Sequence, residues 1–211
     1  GIKAEDAVYL PAVETALSLV HDTHPRVGER VAVFGQGMIG LLAVAILSKT
    51  HGSSAGGSVV AVDMLEERLA VATRLGATSA VSPQELPSLS PFDVSVEVTG
   101  NYRGLQAALD FTGYGGRVIL GSWYGNTKAM LSLGMAFHRS HLTIQTSQVS
   151  SIPASLTDRW DKPRRFAAAW SLLKDLRPSN FLTTLRANLA GAQGAYEALE
   201  GGKELGVVLT Y

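Results

Sequence analysis

An α/β fold built on a parallel, doubly wound sheet is predicted by three observations. Short β-branched runs alternate with helix-length segments along most of the chain. The first run feeds a glycine-rich loop, Gly35-Gln36-Gly37-Met38-Ile39-Gly40, that opens a helix. The second run ends on an acidic residue, Asp63.

Taken in order, Val31 to Phe34 reads as a short apolar strand and Met38 to Ser48 as a buried helix. The small, polar stretch Lys49 to Ser58 connects to a second strand, Val59 to Val62, expected to lie parallel to the first. Glu66, Glu67 and Arg68 start an amphipathic helix to about Leu75, which Gly76 stops as a helix C-cap glycine. Ser79 to Val81 supplies a third strand. Beyond the Pro- and Ser-rich loop Ser82 to Pro91, Phe92 to Val98 is a fourth strand that reaches Thr99-Gly100. A helix from Tyr102 to Phe111, a turn at Gly113 to Gly116 and strands at Arg117 to Leu120 and Leu142 to Thr146 complete a second half. Six parallel strands covered on both faces are most simply ordered 3-2-1-4-5-6.

After Ser150 the alternation stops. Thr157 to Arg165 is charged and turn-like, Phe166 to Leu176 and Ala192 to Leu199 are amphipathic helices, and Leu205 to Tyr211 is a closing strand. These elements are assigned to a partial extra layer belonging to another domain. The division expected is a lead-in of residues 1–14, a central unit of residues 15–147 and a C-terminal segment of residues 148–211.

Composition narrows the partners. The 211 residues carry 18 basic and 18 acidic side chains and are 46% hydrophobic, which argues against disorder and against a basic nucleic-acid surface. Length allows one α/β domain of about 130 residues plus additional elements. There is no cysteine, so disulfides and thiolate metal sites are excluded together. No apolar run reaches membrane-spanning length, no signal peptide is apparent, and a cytoplasmic setting is the default expectation. The partner expected is a small molecule.

The glycine loop has the spacing of the Rossmann dinucleotide fingerprint. Its first glycine, Gly35, permits the tight turn; Gly37 lets backbone approach a pyrophosphate; Gly40 lets helix and strand pack closely. The positive end of the helix beginning near Met38 supports the phosphate charge. Asp63 is placed to accept hydrogen bonds from an adenosine ribose and to repel a 2'-phosphate, so NAD is favoured over NADP. A nearby guanidinium, Arg68, weakens that exclusion. The alternatives are a purely structural glycine turn and a solvated loop carboxylate.

Ala12-Val13-Glu14-Thr15-Ala16-Leu17, Val27 through Gly40, Val62-Asp63 with Arg68, Leu75-Gly76-Ala77, Asp93 through Gly100 and Gly115 through Gly121 together resemble the medium-chain dehydrogenase/reductase family of the zinc-type alcohol dehydrogenases. The later stretch Ser147-Gln148-Val149-Ser150, with Arg159-Trp160 and the ending Val207 to Tyr211, is similar to a subgroup that includes bacteriochlorophyllide hydroxyethyl dehydrogenases. The resemblance implies that Thr15 sits beside the nicotinamide, that Ile39 packs behind its ring and that Arg68 reaches the adenosine ribose. It further implies that Val98 to Gly100, including Thr99, and Gly121-Ser122 line the cleft, with backbone near Thr143 to Gln145 holding the carboxamide.

Departures matter as much. Family members begin with a barrel-like catalytic domain that supplies most active-site zinc ligands, and it is absent from these residues. Where zinc-dependent members carry a further Cys or Glu ligand, this chain has Leu10-Pro11-Ala12-Val13, with Glu5 and Glu14 the nearest carboxylates. Zinc is not expected in this chain, and no catalytic residue is assigned. Near the last strand, where a basic residue often contacts the pyrophosphate, Gly206 falls instead, with Lys203 close by.

Other candidates have plainer readings. His21 and His24 have a metal-compatible spacing without an acidic partner, and His138 and His141 are read as surface or dimer-contact residues. Lys162, Arg164 and Arg165 form a solvated helix start or, with Arg159 and Trp160, the mouth of an anionic or aromatic site. The function expected is the NAD-binding portion of an alcohol-type oxidoreductase. A non-catalytic nucleotide-binding module and an S-adenosylmethionine-dependent methyltransferase are the alternatives. The apolar strand Leu142 to Thr146 at a sheet edge predicts a homodimer through that edge.

Overall fold

The computed structural model describes residues 1–53, 56–202 and 204–211. Six parallel strands form the central sheet: β1 (Arg30–Phe34), β2 (Ser58–Val62), β3 (Ser79–Val81), β4 (Phe92–Glu97), β5 (Thr112–Leu120) and β6 (Thr143–Thr146). Their order is β3-β2-β1-β4-β5-β6, as the alternating pattern predicts. After β3 the chain returns to place β4 beside β1, so the strand order reverses between these two neighbours and a crevice opens at their carboxyl ends.

Alternation along the strands sorts the side chains into two cores. Val31, Val33, Val59, Ala61, Val94, Val96 and Ile119 face one layer. Ala32, Phe34, Val60, Val62 and Val118 face the other. The first layer holds α2 (Leu10–Thr23), α3 (Met38–His51), α4 (Glu66–Arg74) and α7 (Lys162–Leu176), preceded by the single turn α1 (Ala4–Ala7). The second holds α5 (Tyr102–Phe111) and, near the β6 edge, α6 (Met135–Arg139). Helix α3 is apolar all round because it lies between the sheet and its neighbours, with every residue from Gly40 to Leu47 buried.

Several boundaries differ from the sequence pattern, each for a local reason. Helix α3 runs on to His51, whose buried ring bonds the Glu29 carbonyl oxygen through Nε2 at 2.7 Å, a contact invisible in propensity. The stretch Ser82 to Pro91 is not plain loop. Pro83–Ser88 winds into a 3-10 turn in which the Ser82 backbone N–H and hydroxyl both donate to Glu85 Oε2. The Gly113–Gly116 turn is absorbed into β5 as an irregularity, between the pairings of Phe92 with Thr112 and Val94 with Arg117. Helix α7 begins at Lys162, earlier than the apolar periodicity, because Asp161 caps it by accepting the Arg164 N–H at 2.7 Å.

A small second sheet pairs β7 (Leu185–Asn188) with β8 (Val207–Thr210), between which lies α9 (Ala192–Glu200); β7 follows the single turn α8 (Ser179–Leu182). β7 has no β-branched residue to announce it. The N-terminal segment packs on this region: Asp6 accepts the Ser179 N–H at 2.9 Å, Tyr9 bonds Thr183 at 2.8 Å and Glu5 pairs with Arg186. Among the described residues no helix is long and apolar enough to cross a membrane.

Candidate dinucleotide site

The glycine loop leaves β1 through Gly35, whose φ of +96° lies in the left-handed region that favours glycine. A Cβ on Gly35 would also come within 2.9 Å of the Thr99 backbone. Gly40 is closed in the same way, since a Cβ there would fall far inside contact distance of the Gly35 carbonyl oxygen. Gly37 is the opposite case: no protein atom lies within 4 Å of where its Cβ would be. The first and third glycines are therefore required by packing, whereas the second faces open space at the start of α3. That is the fit a pyrophosphate needs, next to first-turn N–H groups that an α-helix leaves without internal partners.

Asp63 follows β2 and sits over the same loop. Its Oδ2 accepts the Gln36 N–H at 2.6 Å and its Oδ1 accepts the Leu65 N–H at 3.0 Å. The carboxylate thus holds the glycine turn, and its remaining lone pairs are free of protein donors among the described residues. Gln36 is fully buried and donates through Nε2 to the Val33 carbonyl oxygen at 2.7 Å. Arg68, on α4, reaches the Gly202 carbonyl oxygen at 3.5 Å, while Lys203 lies outside the described residues.

At the crevice, the strand ends are tied one residue beyond the ladder. Val98 N–H donates to the Phe34 carbonyl oxygen, Gly121 N–H to that of Glu97 and Ser147 N–H to that of Leu120, each at 2.9 Å. Gly100 N–H donates to Ser122 Oγ at 2.8 Å, which joins the two segments that the family resemblance assigns to the cleft. Beneath them is Glu97, fully buried at the end of β4. Its Oε1 accepts the Thr99 N–H at 2.7 Å, the Thr99 hydroxyl at 2.6 Å and the Ser122 hydroxyl at 3.1 Å; its Oε2 accepts the Tyr124 hydroxyl at 2.7 Å. Burial, then donation to the Glu97 carboxylate and its charge, push the Tyr124 phenol well above its ordinary value.

Thr15 lies on α2, half-buried, with its hydroxyl donating back to the Pro11 carbonyl oxygen at 2.9 Å. Met38 and Ile39 open α3 and pack against the first core. The Gln145 side chain turns to α2, donating to Asp22 Oδ1 at 3.3 Å, while Ser147 donates to Asp22 Oδ2 at 2.7 Å. Despite those bonds, burial dominates and raises the Asp22 carboxyl above its ordinary value.

The structure thus gathers Gly35, Asp63, Thr99, Gly100 and Ser122 around one crevice. Glu97, Gln36 and Tyr124 were not singled out by motif. The available signal was a Glu inside Val94-Ser95-Val96-Glu97-Val98, a run whose central position in a parallel sheet buries both faces.

The remaining candidates lie elsewhere. His21 packs edge-on against Trp160 at 4.4 Å between centroids, and the Arg164 guanidinium lies over the Trp160 ring at 4.4 Å from its centroid. Arg165 is buried rather than solvated. Among the described residues no group of three or more His, Cys, Asp or Glu side chains is arranged to hold a metal.

Comparison with known proteins fits this geometry. The chain is 31% identical over 182 residues to the D-guloside 3-dehydrogenase of Escherichia coli, covering 82% of this chain and 51% of that protein. It is 38% identical over 118 residues to the L-threonine 3-dehydrogenase of Chromobacterium violaceum, covering 52% of this chain and 32% of that protein. The chain therefore spans about half the length, or less, of these curated relatives. Among solved structures, alcohol dehydrogenase TADH from Thermus sp. ATN1 superposes with a TM-score of 0.78 at 23% identity, over 99% of this chain and 59% of that one. An alcohol dehydrogenase from Escherichia coli CFT073, complexed with NADH, gives 0.77 at 18% identity, over 100% of this chain and 60% of that one. Residues 39–172 match the zinc-binding dehydrogenase family model, and with that match the chain belongs to the zinc-binding dehydrogenase family.

Proposed function

We propose that this chain is the NAD-binding portion of an alcohol-type oxidoreductase, in which hydride passes between the nicotinamide and an alcohol or carbonyl carbon of a small molecule. The observation that carries the reading is the contrast within the glycine loop: Gly35 and Gly40 are filled by protein, and Gly37 is left open at the start of α3. A glycine kept only for packing has no use for open space. When bound, the nicotinamide supplies the hydride chemistry, and the protein supplies binding, orientation and electrostatics.

In this reading Gly35, Gly37, Met38, Ile39 and Gly40 receive the pyrophosphate, and Asp63 with Arg68 receives the adenosine ribose. Thr15, Thr99, Gly100, Gly121, Ser122 and backbone near Gln145 form the nicotinamide half. The Asp63 carboxylate favours NAD over NADP by charge. Residues 15–147 make up the cofactor unit. Residues 1–14 and 148–211 belong with the catalytic domain, a division supported by the contacts of Asp6, Tyr9 and Glu5 with residues 179–186. The substrate-polarising groups are assigned to residues outside this chain.

Titration with NADH, NADPH and S-adenosylmethionine tests the reading. NADH is expected to bind most tightly; binding of S-adenosylmethionine alone overturns it. The β6 edge is proposed to pair with a second copy, and sedimentation at micromolar concentration is expected to give the mass of two chains.

A further inference from the structure

We propose that Glu97 is the positioning residue of the nicotinamide half of the cleft, acting as the one anion on which both strand-end segments of the crevice are hung. The proposal rests on the dinucleotide reading above.

Glu97 is fully buried, and among the described residues no Lys or Arg pairs with it. An unpaired buried charge is costly, and a Leu would fill the end of a central strand without that cost. What the carboxylate provides is acceptor capacity. Ionised, it has two oxygens and about four lone-pair sites. Four donors reach it: the Thr99 N–H, the Thr99 hydroxyl and the Ser122 hydroxyl converge on Oε1, and the Tyr124 hydroxyl takes Oε2.

Two of these donors are relays. The Ser122 oxygen accepts the Gly100 N–H at 2.8 Å, and the Thr99 oxygen accepts the Asn101 N–H at 3.0 Å. The Ser122 relay ends on the Glu97 carboxylate, as does that of Thr99, whose hydroxyl oxygen lies 2.6 Å from Glu97 Oε1 and 3.0 Å from the Asn101 carbonyl oxygen, and bonds aligned in this way strengthen one another. Residues 99–101, after β4, and residues 122–124, after β5, are thereby fixed to each other through one side chain. The Thr99 and Ser122 hydroxyls are turned inward, so these two residues shape the cleft with backbone and carbon rather than by donating to a ligand. The Thr99 backbone is also the surface against which Gly35 turns.

Glu97→Gln preserves size but replaces one acceptor oxygen with a donor amide NH2. Whichever way the amide is turned, it opposes either the Tyr124 hydroxyl or the donors from Thr99 and Ser122. The adenosine half, built on Asp63 and Gly37, makes no bond to Glu97. The affinities of the 211-residue chain for NADH and for ADP-ribose, measured by calorimetry, separate the two halves. The NADH to ADP-ribose affinity ratio is expected to fall about tenfold in Glu97→Gln, or 1.4 kcal/mol confined to the nicotinamide half. The ADP-ribose affinity should stay within about twofold of the parent, a change of well under 1 kcal/mol.

A general loss of structure would weaken both ligands together, and that result overturns the proposal, as does an unchanged ratio. A wild-type ratio of one overturns it too, because no nicotinamide contact then exists for Glu97 to set. If Glu97→Gln does not fold, Ser122→Ala and Tyr124→Phe each remove one donor. A fall in the ratio with either supports the proposal, and an unchanged ratio in both overturns it. Failure of the wild-type chain to bind either ligand overturns the dinucleotide reading itself.

Discussion

The guanidinium of Arg165 grips Glu14 across 151 residues of chain, with Nη2 at 3.0 Å and Nε at 3.2 Å from the same carboxylate oxygen. Two further donors reach the Val149 and Ser151 carbonyl oxygens, so four of the five N–H groups of a side chain only 2% exposed are bonded. The clamp joins α7, the segment after β6 and the residue that precedes Thr15. Arg165→Ala strands Glu14 and two carbonyl groups together. It is expected to cost about 3–5 kcal/mol in urea denaturation, the range for breaking a buried pair from one side. Arg165→Met with Glu14→Leu, which removes both charges, should cost clearly less.

The glycine loop offers a sharper contrast. Gly40→Ala forces a methyl into the Gly35 carbonyl oxygen and should lower thermal stability strongly or prevent folding. Gly37→Ala meets no protein atom and should leave the melting temperature near that of the parent. Its NADH affinity should nonetheless drop by about tenfold, because the methyl occupies ligand space worth roughly 1.4 kcal/mol. A Gly37→Ala chain that binds NADH normally contradicts the site.

Asp63 is expected to set cofactor choice. Asp63→Ala removes the like charge facing a 2'-phosphate, with Arg68 left nearby to attract it. The NADPH to NADH affinity ratio should rise by about tenfold, equivalent to 1.4 kcal/mol. Because Asp63 also accepts the Gln36 N–H, a modest loss of NADH affinity should accompany the change. A preference for NADPH in the wild type, unchanged in the variant, contradicts this.

Acid should weaken the fold through His21. Burial, followed by the charges of Arg165 and Arg164, lowers its folded value below the ordinary 6.5. The unfolded chain then binds the proton more readily, so stability falls as pH drops through 6.5 and levels off below the folded value. His21→Leu removes this proton-linked loss. The stability difference between wild type and His21→Leu, followed by chemical denaturation from pH 8 to pH 5, should therefore shift in favour of the variant on the acid side.

The Arg117–Glu29 pair titrates lower. Burial alone would raise Glu29, but bonds from Arg117 and the Arg26 N–H, with both guanidinium charges, outweigh it and hold the carboxyl below its ordinary 4.5. Its contribution is present above 4.5 and is lost as pH falls through the depressed folded value. Glu29→Gln should flatten that acid limb of the stability curve and leave the limb near 6.5 intact.

Much of this architecture is written in local sequence. Strand and helix periodicity, the spacing of Gly35, Gly37 and Gly40, and Asp63 at the end of the second strand determine the sheet order and the place of the crevice, because backbone sterics and alternation act over a few residues. The role of Glu97 is not local. Thr99 and Asn101 are near it in sequence, but Ser122 and Tyr124 come to it only because β5 lies beside β4. Likewise Arg165 reads in sequence as one of a solvated basic group, and only the packing of α7 on α2 turns it inward to Glu14. β7 and the second sheet depend on pairing with β8, some twenty residues later. The doubly wound frame and the glycine loop follow from local pattern, whereas which charges are buried and what each one holds follow from the packing of distant segments, because desolvation and partner geometry exist only once those segments meet.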